Sequence, residues 1–372
     1  MLRLSALAGG LFLLAVMVCV AHGARPGEQV IPWSAAVDPM AATESLDGAK
    51  VRLTLPVGFP ATVLFAWPQQ LHTQLAVGVD NGEKAMKWQV VELRTGKTQA
   101  AGQTDRLTSA IGSSDGKFIA GTDNFVCQVW SLSTHQKTVS LDSKTGSHAV
   151  VGFLGDTDQV AIATTNTRKG AVQVFDPASG KLVRDIAVPV AIAEQCTAIS
   201  PGGRYLAIVA SMGTGQGLYM LDLKEGKLVG TVSMPENAYH STYIGSPAGL
   251  GFSPDGKCLG IEVTTGPTTR LIVLDMATGK TLADQGSLNL QASPFETLQG
   301  PAIQFMTDSN HIRLGHAIYD WHTGESVQPI PMPPHVENLS LLQMLSDRKA
   351  IYATAASVID KQVTIATERV GD

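Results

Sequence analysis

Residues 247–282 read PAGLGFSPDGKCLGIEVTTGPTTRLIVLDMATGKTL, and the punctuation of this stretch decides the fold. An apolar run meets a turn at Ser253-Pro254-Asp255-Gly256-Lys257, and a second run leads into a polar loop. A third run closes on Leu274-Asp275, a second turn follows at Ala277-Thr278-Gly279-Lys280, and a fourth run begins. Short β-favouring runs bounded by Gly, Pro, Asp and Ser read as strands joined by hairpins. Four antiparallel strands within about 45 residues make one blade of a β-propeller.

Both turns recur along the chain. The first falls at Ser114-Asp115-Gly116-Lys117, Asp156-Thr157-Asp158-Gln159, Pro201-Gly202-Gly203-Arg204, Pro254-Asp255-Gly256-Lys257, Asp308-Ser309-Asn310-His311 and Ser346-Asp347-Arg348-Lys349. Their last residues are spaced by 42, 45, 53, 54 and then 38. The second turn places Gly96, Gln136, Gly180, Gly226, Gly279 and Gly324 at spacings of 40, 44, 46, 53 and 45. Two markers with one period define a repeat. Asp and Asn favour such turns by bonding their own backbone, and Gly supplies the positive φ of the later turn position.

Six units carry both turns, counting a degenerate first turn near Gln69–Thr73. A last unit, Asn338–Val370, lacks a fourth strand, while the alternating segment Lys50–Val57 has no partner nearby. Pairing the two would close the ring and remove exposed strand edges. The expectation is an all-β, seven-bladed propeller of four-stranded antiparallel blades over 48–372, closed by the N-terminal strand, with Lys50–Val57 beside Val363–Thr367.

Ahead of it, 1–23 has one early Arg, an apolar run from Leu11 to Val20 and small residues at Ala21-His22-Gly23. This is the pattern of a secretory signal peptide, too short to read as a membrane span. It predicts export to the periplasm or beyond, with an uncleaved N-terminal anchor as the alternative. A lipid anchor on Cys19 is disfavoured by Val18, where a small residue would be needed. Residues 24–47, with Pro26, Pro32 and Pro39 and no periodicity, read as a linker in which Trp33 is the one large apolar group. Without Cys19 the thiols are Cys127, Cys196 and Cys258, an odd number in a domain that needs no staples, so three buried free thiols are expected. A formal charge of −5 without a basic block argues against a nucleic-acid partner.

The third strands end in a bulky residue followed by an acid at Phe175-Asp176, Leu221-Asp222, Leu274-Asp275 and Tyr319-Asp320, with Trp130-Ser131 as the variant. With the Ser-Pro-Asp-Gly-Lys and Thr-Gly-Lys turns, this resembles WD-repeat propellers and the related quinoprotein-like and lactonase-like propellers of exported bacterial proteins. The resemblance implies the fold from about Lys50 onward and leaves function open, because these propellers host unrelated activities. Only Trp130 holds the WD tryptophan position, Ser147-His148 is the nearest approach to a Gly-His start, and Ala100, Arg184, Gly230 and Ala283 stand where quinoprotein enzymes carry a docking Trp.

Motifs for nucleophilic, zinc-protease or phosphate-loop chemistry are lacking, so no catalytic residue and no cofactor are assigned. His311, His316 and His322 are close in sequence, yet a tight hairpin with His316 at its bend would keep them from converging on a metal. Between the second turn of one unit and the first of the next, the spacing rises from 23 and 24 to 31 and then 32. These two successive connections project from one rim, where repeat proteins build binding surfaces. The first carries Tyr239, His240 and Tyr243; the second carries Phe295 and Glu296; Arg168 belongs to a loop on the same face. Aromatic side chains on loops are anchor types. A bland alternative is that these loops fold back over the channel mouth. The expected function is an exported, monomeric, non-enzymatic module that binds or scaffolds a protein or peptide, with no membrane span in its mature form. A propeller hydrolase or lactonase is the alternative, and a quinoprotein-like redox enzyme comes third.

Overall fold

A computed structural model describes residues 31–39, 51–56, 62–66, 74–80, 85–92, 95–107, 109–113, 116–123, 126–142, 147–155, 157–165, 170–190, 192, 197–212, 215–234, 249–265, 268–288, 303–306, 308–314, 317–329, 339–346, 351–359 and 362–370. Among these residues every regular element is a strand. Each of six successive units forms a four-stranded antiparallel sheet in simple chain order. The first sheet holds Thr62–Ala66, Gln74–Asp80, Ala85–Glu92 and Thr98–Asp105; the second holds Ser109–Gly112, Phe118–Asp123, Val126–Ser131 and Lys137–Leu141. Ser147–Leu154, Gln159–Thr165, Gly170–Asp176 and Lys181–Val188 make the third. The fourth is Thr197–Ile199, Tyr205–Met212, Gly215–Asp222 and Lys227–Ser233, and the fifth is Leu250–Phe252, Cys258–Thr265, Thr268–Asp275 and Thr281–Leu288. Ile303–Phe305, His311–Leu314, Ala317–Asp320 and Ser326–Pro329 complete the sixth.

A further sheet combines both ends of the chain. Leu339–Ser346, Ile351–Ile359 and Gln362–Val370 follow one another, and Val51–Pro56 lies on the outside against the last of them. The register sets Val51 opposite Thr367 and Leu55 opposite Val363, the pairing that the missing fourth strand calls for.

From the first sheet to the sixth, the first strand of each lies beside the first strand of the next, as in blades around an axis. Each middle sheet is therefore buried on both faces, which is why its second strand reads as a continuous apolar run. In the fourth sheet, Leu206, Ile208 and Ala210 pack toward the third sheet, while Tyr205, Ala207 and Val209 pack toward the fifth. Strand alternation assigns the two sets to opposite faces.

The recurrent acid after each third strand has a local cause. The Asp222 carboxylate accepts hydrogen bonds from the backbone N–H groups of Lys224 and Glu225, and Asp176, Asp275 and Asp320 cap their own turns in the same way. These acids recur because each turn uses one to satisfy its own backbone N–H groups. In the second sheet the positive φ falls on His135 (58°), one residue before the Gln136 that spacing selected. In the sixth it falls on Ser309 (58°), which makes Asn310, rather than His311, the counterpart of Lys257. Where a side-chain-bearing residue adopts the left-handed conformation, the glycine marker vanishes and the count slips by one.

Residues 31–39 have no strand of their own but are firmly held. Thr231 N–H donates to Ile31 O and Ser34 N–H donates to Val229 O, so the segment covers the outer edge of the fourth sheet. The Trp33 ring lies over Gly230 and Gly279, and its Nε1–H donates to Met276 O in the fifth sheet (2.9 Å). Ala35 is buried in the core between the two sheets. Farther on, the Asp38 carboxylate accepts from Ser200 Oγ (2.5 Å) and from Arg204 N–H (2.9 Å). The stretch placed in a linker by its composition is, over these nine residues, a strap across two sheets.

Cys127 and Cys258 are buried free thiols, and Cys196 lies outside the described residues. Burial, aided by the nearby Asp255 carboxylate, pushes the Cys258 thiol up to about 11, so it stays protonated and unreactive at neutral pH. Thiol titration of the chain without residues 1–23, unfolded without reductant, should return three free groups; a count of one would establish a disulfide.

Candidate functional site

The sheet registers align the repeats residue by residue and expose where the chain breaks its own pattern. On the second strand, the third position is Ala120, Ala161, Ala207 and Gly260 in the second to fifth sheets. These residues pack against the following sheet. A Cβ on Gly260, for instance, would sit 3.0–3.3 Å from Ile312, Phe305 and Ile303 of the sixth. The sixth sheet puts Arg313 there instead. Two positions farther along the strand, Thr122, Ala163 and Val209 are succeeded by Glu262 in the fifth sheet. Across from Arg313, the first strand carries Gln304 where the earlier sheets have Ile111, Gly152, Ala198 and Gly251.

Three polar side chains thus replace small or apolar ones in one sector of the structure. Gly260 faces the sixth sheet, and alternation puts Glu262 on that same face. Gln304 and Arg313, paired directly, share the face of the sixth sheet opposite Ile303, Phe305, Ile312 and Leu314. Arg313 is only 3% exposed, and removal from water pulls its guanidinium down to about 10 despite the attraction of Glu262. For Glu262 desolvation likewise dominates, raising the carboxyl to about 7 although the charge of Arg313 pulls the other way. Among the described residues no donor lies within hydrogen-bonding distance of the Glu262 carboxylate.

This sector also holds the two long connections. Between Ser233 and Leu250 lie 16 residues, and between Leu288 and Ile303 lie 14, whereas the connections after Asp105, Leu141 and Val188 hold 3, 5 and 8. Glu262 N–H donates to the carbonyl of Gly249, immediately before the fifth sheet's first strand, so Glu262 sits at the level where the longer connection arrives. Chemically, a carboxyl that titrates near neutrality can hold or release a proton and can accept a strong hydrogen bond.

Tyr239, His240 and Tyr243, Phe295 and Glu296, and Arg168 all lie outside the described residues, as does His316. His311 pairs with Asp308 through Nδ1 (2.5 Å), and His322 stacks on Trp321 with ring centroids 3.6 Å apart. Among the described residues no group of three or more His, Cys, Asp or Glu side chains is placed to hold a metal. His148, of the Gly-His-like pair, is buried between Thr164 Oγ1 and Asp142 O, each 2.9 Å from a ring nitrogen. Reading in sequence alone missed Glu262, Gln304 and Arg313, because a charged residue in a strand looks solvent-facing until its position is compared across repeats.

The fold and its sheets define a β-propeller-like all-β protein, and comparison with solved structures supports that class. Hydrazine synthase from Kuenenia stuttgartiensis superimposes with a TM-score of 0.54 over 84% of this chain and 95% of its own, at 16% sequence identity. At that identity the likeness concerns the fold alone. No family model matches the chain, and no curated protein matches it in sequence. Among the described residues no helix is long and apolar enough to cross a membrane.

Proposed function

We propose that the protein is an exported, monomeric, seven-bladed propeller, related to WD-repeat and quinoprotein-like propellers, that binds or scaffolds a protein or peptide partner without catalysing a reaction. The carrying observation is the coincidence, in one sector, of the two longest connections between successive strands among the described residues and the polar departures Glu262, Gln304 and Arg313. Connections on one rim are free to vary because the capped turns of the opposite face are committed to the backbone. In this reading Tyr239, His240, Tyr243, Phe295 and Glu296 form the contact surface, with Arg168 at its margin.

Replacing Tyr239 and Tyr243 together by Ala should leave the melting transition nearly unchanged. Affinity for a partner recovered by pull-down from the exported fraction should fall by about 2 kcal/mol or more, as for aromatic anchors. Unchanged affinity in isothermal titration would remove these loops from the binding surface. A second reading, a propeller hydrolase, draws on the Glu262 carboxyl, whose proton affinity near neutrality suits a general acid or base. It requires turnover of an ester or lactone that Glu262→Gln abolishes.

A further inference from the structure

We infer that the outer cleft between the first and second sheets docks a tryptophan from an extended segment of a partner protein. The template is the chain's own strap, which docks Trp33 between the fourth and fifth sheets. This surface shares no residue with the proposed rim. Register makes the two places equivalent. Leu132 N–H donates to Lys117 O just as Met276 N–H donates to Lys257 O, and Ala100 and His135 stand where Gly230 and Gly279 lie under Trp33. The fourth strand of the first sheet ends that sheet, and its Gln99 and Ala101 are exposed where the strap leaves Val229 only 4% exposed.

The seat between the first two sheets is displaced rather than lost. A Cβ at position 230 or 279 would lie 2.5–2.6 Å from the Trp33 indole, so Ala100 and His135 forbid the same pose. One pleat farther along, the fourth strand carries Gly102, where the next four sheets have Leu141, Ile186, Val232 and Gln285. The His135 ring leans over Gly102, and an open-sided cleft of about 270 Å³ remains among Trp88, Ala100, Gly102, Leu132 and His135. Its walls are fixed: Trp88 Nε1–H donates to Thr104 Oγ1, and Lys137 Nζ bridges the two sheets to Asp105 (2.7 Å). Two grooves show what such a place takes. Met276 O accepts from Trp33 Nε1–H, and its counterpart Trp321 O accepts from the Gln285 amide (3.3 Å), both planar groups that carry an N–H. Among the described residues no donor reaches Leu132 O, the matching carbonyl. An indole supplies that N–H, while its apolar body fills the cleft and stacks on the imidazole. The strap is committed to its own groove, so this second indole comes from another chain, on a segment that pairs with the open edge.

The test uses the full chain with ¹³C-labelled histidine rings, His135→Asn to assign the signal, and two blocked peptides. One has the strap sequence Ile-Pro-Trp-Ser-Ala-Ala-Val-Asp; the other is the same peptide with Trp33→Ala. The tryptophan peptide should shift the His135 ring signals saturably, through the ring current of the stacked indole, and the alanine peptide should bind at least tenfold more weakly. Gly102→Leu gives the first sheet a side chain where the next four have one, and the exposed His135 ring can swing aside for it. This variant should lose affinity for the tryptophan peptide at least tenfold and keep its melting transition. The peptide pair needs only the native chain, so its result stands whether or not the variant folds. A His135 signal unmoved up to the peptide's solubility limit would overturn the proposal, whether the peptide stays free or displaces the strap. Equal binding of the two peptides, or undiminished binding to folded Gly102→Leu, would overturn it as well.

Discussion

Trp33→Ala should lower the free energy of unfolding by about 3 kcal/mol, a large effect for a residue outside every strand. Its ring lies over Gly230 at the edge of the fourth sheet and Gly279 in a turn of the fifth, so its loss leaves a void between two units. The void cannot close easily. Gly279 has φ +68°, held by its hydrogen bond to Asp275, and Gly230 belongs to a paired strand. Truncation also removes the donor to Met276 O. Trp33→Phe keeps most of the contact and loses only that donor, so it should cost about 1 kcal/mol. Urea denaturation monitored by circular dichroism reads both. A change below about 0.5 kcal/mol for Trp33→Ala would mean that the strap is dispensable to stability.

The strap shows why some of the structure was legible in the sequence and some was not. Strands and turns announce themselves locally, through apolar runs and through Asp and Gly at positions whose backbone demands them. Asp222, Asp275 and Asp320 recur because each caps its own turn, so their period reports the repeat directly. The partner of Val51–Pro56 was legible for a different reason: one unit had three strands and one segment had none. Residues 31–39 carry neither signal. Their partners lie roughly 160–240 positions away and use mostly backbone atoms, so nothing periodic in Trp33, Ser34 or Asp38 identifies them.

The polar departures were hidden in another way. Glu262 and Arg313 occupy ordinary strand positions, and each becomes exceptional only against Val209 or Ala207 at the matching position of another sheet. That comparison needs register to the residue. Turn spacing alone placed the sixth unit one residue off, because Ser309 stands where Gly256 marks the fifth.

Glu262 should also leave its mark on the pH dependence of stability. Its carboxyl titrates near 7 when folded and at about 4.5 as an unperturbed glutamate, so folding raises its pKa through loss of water. A raised pKa means that the folded state binds the proton more tightly than the unfolded one. This contribution is fully present below about pH 4.5 and is lost progressively as pH rises through about 7. Across that window it amounts to roughly 3 kcal/mol, taking 1.36 kcal/mol per pH unit. Glu262→Gln stays neutral throughout and removes the slope. Urea denaturation of both proteins between pH 4.5 and 8 isolates the effect, since the other titrating groups largely cancel in the difference. Gln also withdraws the charge that attracts Arg313 at a distance, which lowers the variant's stability where Glu262 would be ionised, so the measured change falls short of the full value. Its direction remains fixed: the variant gains on the native protein as pH rises. Parallel curves across the window would mean that Glu262 titrates alike in both states, which is incompatible with a carboxyl partly withdrawn from water between two sheets.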